Sequence, residues 1–157
     1  MSHVVGRGRY ARETYPRTPS AGSSPARAWA DNSAGNVPLP AGTRENLVSI
    51  TVTPTKSGIF RLIGTGCVAD TSAAPNDFTP GFSFGDGAPS VNLYGAASPY
   101  TKIAASGQVA YALVFETDAS TPPFPLGVPV QLNFVGSCGS GNGNVPASGA
   151  QFDVQEI

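Results

Sequence analysis

Val109-Ala-Tyr-Ala-Leu-Val-Phe115 sets Val109, Tyr111, Leu113 and Phe115 at alternate positions, with the small Ala110 and Ala112 between them. Strand side chains point to opposite faces in turn, so this stretch predicts a strand with one large apolar face. Upstream, Leu47-Val-Ser-Ile-Thr-Val-Thr53 puts Val48, Ile50 and Val52 on one face and Ser49, Thr51 and Thr53 on the other. The next run, Ile59-Phe-Arg-Leu-Ile63, follows the turn Pro54-Thr-Lys-Ser-Gly58 and is apolar on both faces except at Arg61, which predicts a central strand hairpinned to its predecessor. Phe78, Phe82 and Phe84 share parity, with Pro80 and Gly81 implying an edge or a bulge. Val91 and Leu93 make a short strand. Downstream, after the turn Asp118-Ala-Ser-Thr-Pro-Pro123, come Val128, Val130, Leu132 and Phe134 in one parity, and a final strand alternates Phe152 and Val154 against Gln151, Asp153 and Gln155. Seven or eight such strands predict an antiparallel β-sandwich, and their spacing alone does not choose between a plain sandwich and a jelly roll.

Composition agrees with an all-β fold. The 19 glycines and 15 prolines make up roughly a fifth of 157 residues, and only 12% are charged, which is poor material for long helices. A hydrophobic share of 40% and a net charge of −1 also argue against a disordered chain. No run reaches the roughly 18 apolar residues of a membrane span, and Met1 to Arg17 has no apolar core of a secretory signal, so synthesis in the cytoplasm is expected. No Asn-x-Ser/Thr acceptor occurs. Cys67 and Cys138 with the lone His3 are too few for a disulfide scaffold or a structural zinc site, and two cytoplasmic cysteines are expected as reduced thiols near strand ends.

Charge divides the chain near residue 30. Residues 1–30 carry Arg7, Arg9, Arg12, Arg17 and Arg27 against Glu13, whereas residues 31–157 carry four basic and nine acidic groups. Residues 1–36 therefore read as an extended irregular basic arm, rich in Arg, Pro and Ser, and residues 37–157 as the β-sandwich. Arginines interleaved with aromatics make Arg7, Arg9, Tyr10, Arg12, Tyr15, Arg17, Arg27 and Trp29 the candidate partner-binding set. Guanidinium forks pair with carboxylates and the aromatic rings supply anchors. Five arginines on an acidic body would bind nucleic acid only weakly at physiological salt.

Catalytic patterns fail on context. Gly81-Phe-Ser-Phe-Gly85 matches G-x-S-x-G, but that motif needs a following helix and a histidine base, and the only histidine is His3. Gly64-Thr-Gly-Cys-Val-Ala69 matches a dinucleotide fingerprint, but Asp70-Thr-Ser-Ala-Ala-Pro75 follows where a helix N-terminus would be required. Glu116 and Asp118 share parity at a strand end, as scattered solvated acids will. Asp70, Asp77 and Asp86 lack EF-hand spacing. The expectation is a non-enzyme with no cofactor or metal.

Leu47-Val-Ser-Ile-Thr-Val-Thr-Pro-Thr-Lys-Ser-Gly-Ile-Phe60 and Ala147-Ser-Gly-Ala-Gln-Phe-Asp-Val-Gln-Glu-Ile157 resemble small jelly-roll proteins of tailed bacteriophages, which serve as capsid decoration or cement proteins and head-fibre tips. That resemblance covers residues 37–157 and implies a jelly-roll-like antiparallel β-sandwich with a structural role on the virion exterior, with the major capsid protein as partner, no membrane, and homo-oligomers, often trimers. It carries no catalytic or ligand motif. The competing expectation is a receptor- or glycan-binding fibre tip, in which Tyr94 and Tyr100 would stack on sugars.

Overall fold

The computed structural model describes residues 26–85, 91 and 92, 101–117 and 124–157. Arg7, Arg9, Tyr10, Arg12, Tyr15 and Arg17 lie outside them, as do Asp86, Leu93, Tyr94, Tyr100 and the turn 118–123. The described residues contain eleven strands and no helix. These are β1 (Arg27–Asp31), β2 (Val37–Leu39), β3 (Arg44–Val52), β4 (Phe60–Asp70), β5 (Asn76–Phe84), β6 (Val91–Asn92), β7 (Thr101–Ile103), β8 (Gln108–Glu116), β9 (Val130–Cys138), β10 (Gly143–Val145) and β11 (Ala150–Glu156).

They form two antiparallel sheets in a jelly-roll-like β-sandwich. In the six-stranded sheet, β8 lies along one side of β4 from Arg61↔Glu116 to Ala69↔Gln108. β11 and β10 share the other side of β4, and β1 and β2 pair with them in turn. In the five-stranded sheet, β9 sits between β3 and β5, and the far side of β5 carries β7 at one end and β6 at the other. Pro80 lies between those two short partners, where a residue without an N–H removes no ladder bond on that side.

Alternation builds the core. Val48, Ile50 and Val52 point inward from β3, Tyr111 and Leu113 from β8, Leu132 and Phe134 from β9, and Phe152 and Val154 from β11. Leu47 is buried as well, because the register shifts between Asn46 and Val48 and a bulge turns two successive side chains inward. At the centre, Phe82 stacks on Phe152 across the sandwich at 5.5 Å, and Phe134 lies 5.4 Å from Phe82 and 6.0 Å from Phe152. Gly64 makes room for this cluster, since a Cβ there would overlap the Phe134 ring.

The structure corrects several expectations. The sandwich starts at Arg27 rather than Val37: β1 pairs with β11 from Arg27↔Gln155 to Asp31↔Gln151, and its Ala28 and Ala30 pack on the core. A five-residue strand with alternating alanines gives too small an apolar signal to separate from an Ala/Ser-rich arm. The runs at 47–53 and 59–63 are not a hairpin, because β3 and β4 belong to opposite sheets. One-sided burial arises equally when two strands share a sheet and when they face each other across a core. Val128 is exposed and precedes β9. The Gly64–Ala69 segment lies within β4, so Cys67 is mid-strand rather than near an end.

Candidate functional site

The candidate surface is the outer face of the six-stranded sheet. Trp29 and Arg27 stand on β1, at the joint between the arginine-rich segment and the sandwich, and Trp29 is 59% exposed. The ladder places Trp29 opposite Asp153, Asp153 opposite Ile63, and Ile63 opposite Val114, a row that crosses β1, β11, β4 and β8. Val114 is 57% exposed. Of the adjoining rows, one holds Arg27, Gln155, Arg61 and Glu116, and the other Asp31, Gln151, Thr65 and Ala112.

Two ion pairs cross this face. Arg27 Nη2 donates to Asp153 Oδ2 at 2.9 Å, and Arg61 Nε donates to Glu116 Oε1 at 2.7 Å. The Asp153 hydrogen bond and charge raise the Arg27 pKa above its ordinary value. Trp29, Ile63, Thr65, Gln151 and Asp153 line a shallow cleft of about 200 Å³, with an aromatic wall, an amide, a hydroxyl and a carboxylate. A wider cleft of about 390 Å³, lined by Pro38, Leu39, Pro40, Thr71, Asn142, Gly143 and Asn144, opens beside β2 and β10.

The buried polar groups are engaged in holding the fold. Glu156, 1% exposed, ends β11 inside a ring of amides. Its Oε1 accepts from the N–H groups of Lys56 and Ser57 at 2.8 Å and of Gly58 at 3.0 Å. Its Oε2 accepts from Ala26 N–H and Thr55 N–H at 3.0 Å and from the Thr55 hydroxyl at 2.9 Å. Burial pushes the Glu156 pKa up, but the amides of Gly58, Ala26, Lys56 and Thr55 outweigh it and hold the carboxyl well below the usual range. Gly58 suits the cage, having a φ of 69° and no room for a Cβ against the Phe124 carbonyl.

Asn32 is a second tie. Its Oδ1 accepts from Ala150 N–H at 2.8 Å and its Nδ2 donates to Pro146 O at 2.7 Å, joining the β1–β2 turn to the loop before β11. At the opposite end of β4, Asp70 Oδ1 accepts from the Ser72 hydroxyl at 2.6 Å and Ser72 N–H at 2.9 Å, and these two bonds lower its pKa against the opposing effect of burial. Asn76 Oδ1 accepts from the N–H groups of Asp77, Ser140 and Gly141. Burial, with a contribution from Cys67, pushes the Tyr111 phenol pKa up.

The residues that matched catalytic patterns sit in regular strands. Ser83 is buried in β5, its hydroxyl 3.4 Å from Asn133 Nδ2, and Gly64–Ala69 runs through β4. Glu116 is held by Arg61. Cys67 and Cys138 are both free thiols, and burial raises the Cys138 pKa. Of the predicted partner-binding set, the structure brings Arg27 and Trp29 onto one face.

No family model matches the chain, and no curated protein matches it. Among solved structures it is similar to the structure of Eiger TNF from S. frugiperda, at 10% identity and a TM-score of 0.38, over 85% of this chain and 92% of that one.

Proposed function

We propose that this protein is a structural virion component, a decoration or cement protein that packs on the outer surface of a phage head as a homo-oligomer. The observation that carries the reading is the joint at β1, where an arginine-rich segment enters a strand that displays Trp29 and Arg27 on the outer face. An exposed indole beside a guanidinium is the composition of a protein-binding anchor. The segment before Ala26 holds four arginines and one glutamate, a charge that would suit acidic patches on a partner surface.

The test is co-sedimentation of the full chain with heads assembled from the major capsid protein of the same source. Replacing Arg7, Arg9, Arg12 and Arg17 by Ala, or Trp29 by Ala, should weaken binding at least tenfold with the circular dichroism unchanged; binding equal to the parent contradicts the reading. Removal of residues 1–36 is the wrong variant, since it deletes β1.

A second reading has its own support in the Trp29 cleft, whose indole could stack on a sugar ring while Thr65, Gln151 and Asp153 bond its hydroxyls. Trp29 is the chain's sole tryptophan, so its fluorescence reports that event directly. Saturable quenching by a glycan would favour a fibre-tip module, and a flat titration across a glycan panel would remove it.

A further inference from the structure

The edges of the two sheets are not protected alike. β1 is five residues long and carries Arg27 and Asp31. β2 has three residues, one of them Pro38. β3 has Arg44 and Glu45 at its start, a bulge at Leu47, and Ser49 and Thr51 facing out. β6 and β7 are two and three residues long. These are the usual means by which an edge strand avoids joining another chain: shortness, charge, proline or a bulge.

β8 has none of them between Val109 and Phe115. It is nine residues long, pairs without irregularity along β4, and has no partner strand on its other side among the described residues. Its outward side chains are Ala110, Ala112 and Val114, bracketed by Gln108 and Glu116. Between Val109 and Phe115 the strand is therefore a regular, uncharged template, and its sequence indicates what it would accept.

The pattern is self-complementary about Ala112. A second copy of β8, antiparallel and centred on that residue, sets Ala112 opposite Ala112, Ala110 opposite Val114, Tyr111 opposite Leu113 and Val109 opposite Phe115. Each pair is apolar with apolar and lies on a single face, as a stable register requires. At both ends Gln108 meets Glu116, an amide donor beside a carboxylate, and Glu116 is already neutralised by Arg61. No like charges face each other. A cationic or acidic partner would find nothing complementary on the neutral stretch 109–115, whereas an identical strand finds a match at every position.

We infer that β8 pairs with β8 of a second copy of this chain across a two-fold axis at Ala112, joining the two six-stranded sheets into one. Such an isologous contact is closed and leaves no further β8 edge exposed. It is two-fold where the phage resemblance implied trimers. It does not depend on capsid binding: a dimer that ignores phage heads would keep this inference and remove the proposed function.

The test is the mass of the full chain by light scattering and native mass spectrometry. The parent should have twice the chain mass, and A112K, which sets two ammonium groups against each other at the axis, should halve it with the circular dichroism unchanged. A112C in a C67S background supplies a readout that does not rely on breaking the contact. Directly opposed strand residues have Cα atoms about 4.5–5.5 Å apart, within disulfide range, so mild oxidation should give a covalent dimer. A monomeric parent, a trimer whose mass A112K leaves unchanged, or no cross-linking of A112C overturns the inference.

Discussion

The Glu156 cage and the β8 edge lie in the same sheet and treat backbone polarity in opposite ways. At Glu156 a charge is taken out of water, and the amides of Ala26, Thr55, Lys56, Ser57 and Gly58 converge on it until both oxygens are satisfied. At β8 the side chains are as plain as a strand can have, and among the described residues one row of backbone groups has no strand beside it. The first arrangement spends its polar groups inside the molecule, and the second leaves them for a neighbour. A perturbed carboxylate in this protein is thus no guide to a reactive site: Glu156, the most perturbed one among the described residues, is a fold clamp.

The comparison breaks most readily at the cage. Glu156→Gln places an NH₂ group among inward-pointing N–H donors, and should cost about 3 kcal/mol or more in urea-unfolding free energy. A loss below about 1 kcal/mol would show that the amides do not depend on the carboxylate.

The same group sets an acid limit. Its folded pKa is depressed, so its contribution is complete above the unfolded value of about 4.3 and is lost as pH falls below that toward the folded pKa. The parent and Glu156→Gln should accordingly differ most near neutral pH and converge on acidification below about pH 4, as read from chemical denaturation at a series of pH values. A gap that stays constant down to pH 2 would place the stabilisation elsewhere.

Asn32→Ala comes next, since it strands the buried Ala150 N–H and leaves the Pro146 carbonyl with Gly149 N–H as its remaining donor, and should cost about 2 kcal/mol. Trp29→Ala should be the mildest, within about 0.5 kcal/mol for an exposed side chain, while still weakening the capsid binding proposed above. A large loss of stability there would make the indole a fold element and blur the contrast with Glu156.

The two regions also differ in how far the sequence reveals them. β8 is legible from parity alone, because Val109, Tyr111, Leu113 and Phe115 have no polar interruption. Glu156 shares the parity of Phe152 and Val154, and that is the signal of its burial. What parity cannot provide is its partners, which are backbone amides from the distant loop Thr55–Gly58 and carry no residue-type signature. Asn32 and Asn76 are hidden for the same reason, since each serves main-chain groups far away in sequence. The two sheets cannot be assigned from alternation, which led the β3 and β4 runs to read as a hairpin. Arg27 and Trp29 are visible as candidates, but not their strand, because Ala28 and Ala30 bury too little to mark one.

The most direct test of the proposed virion role is the copy number of this protein, relative to the major capsid protein, in phage particles purified from its source and quantified by mass spectrometry. Near-stoichiometric abundance is the predicted result, because only a repeated site on the shell can hold that many copies; complete absence from purified particles would contradict the account.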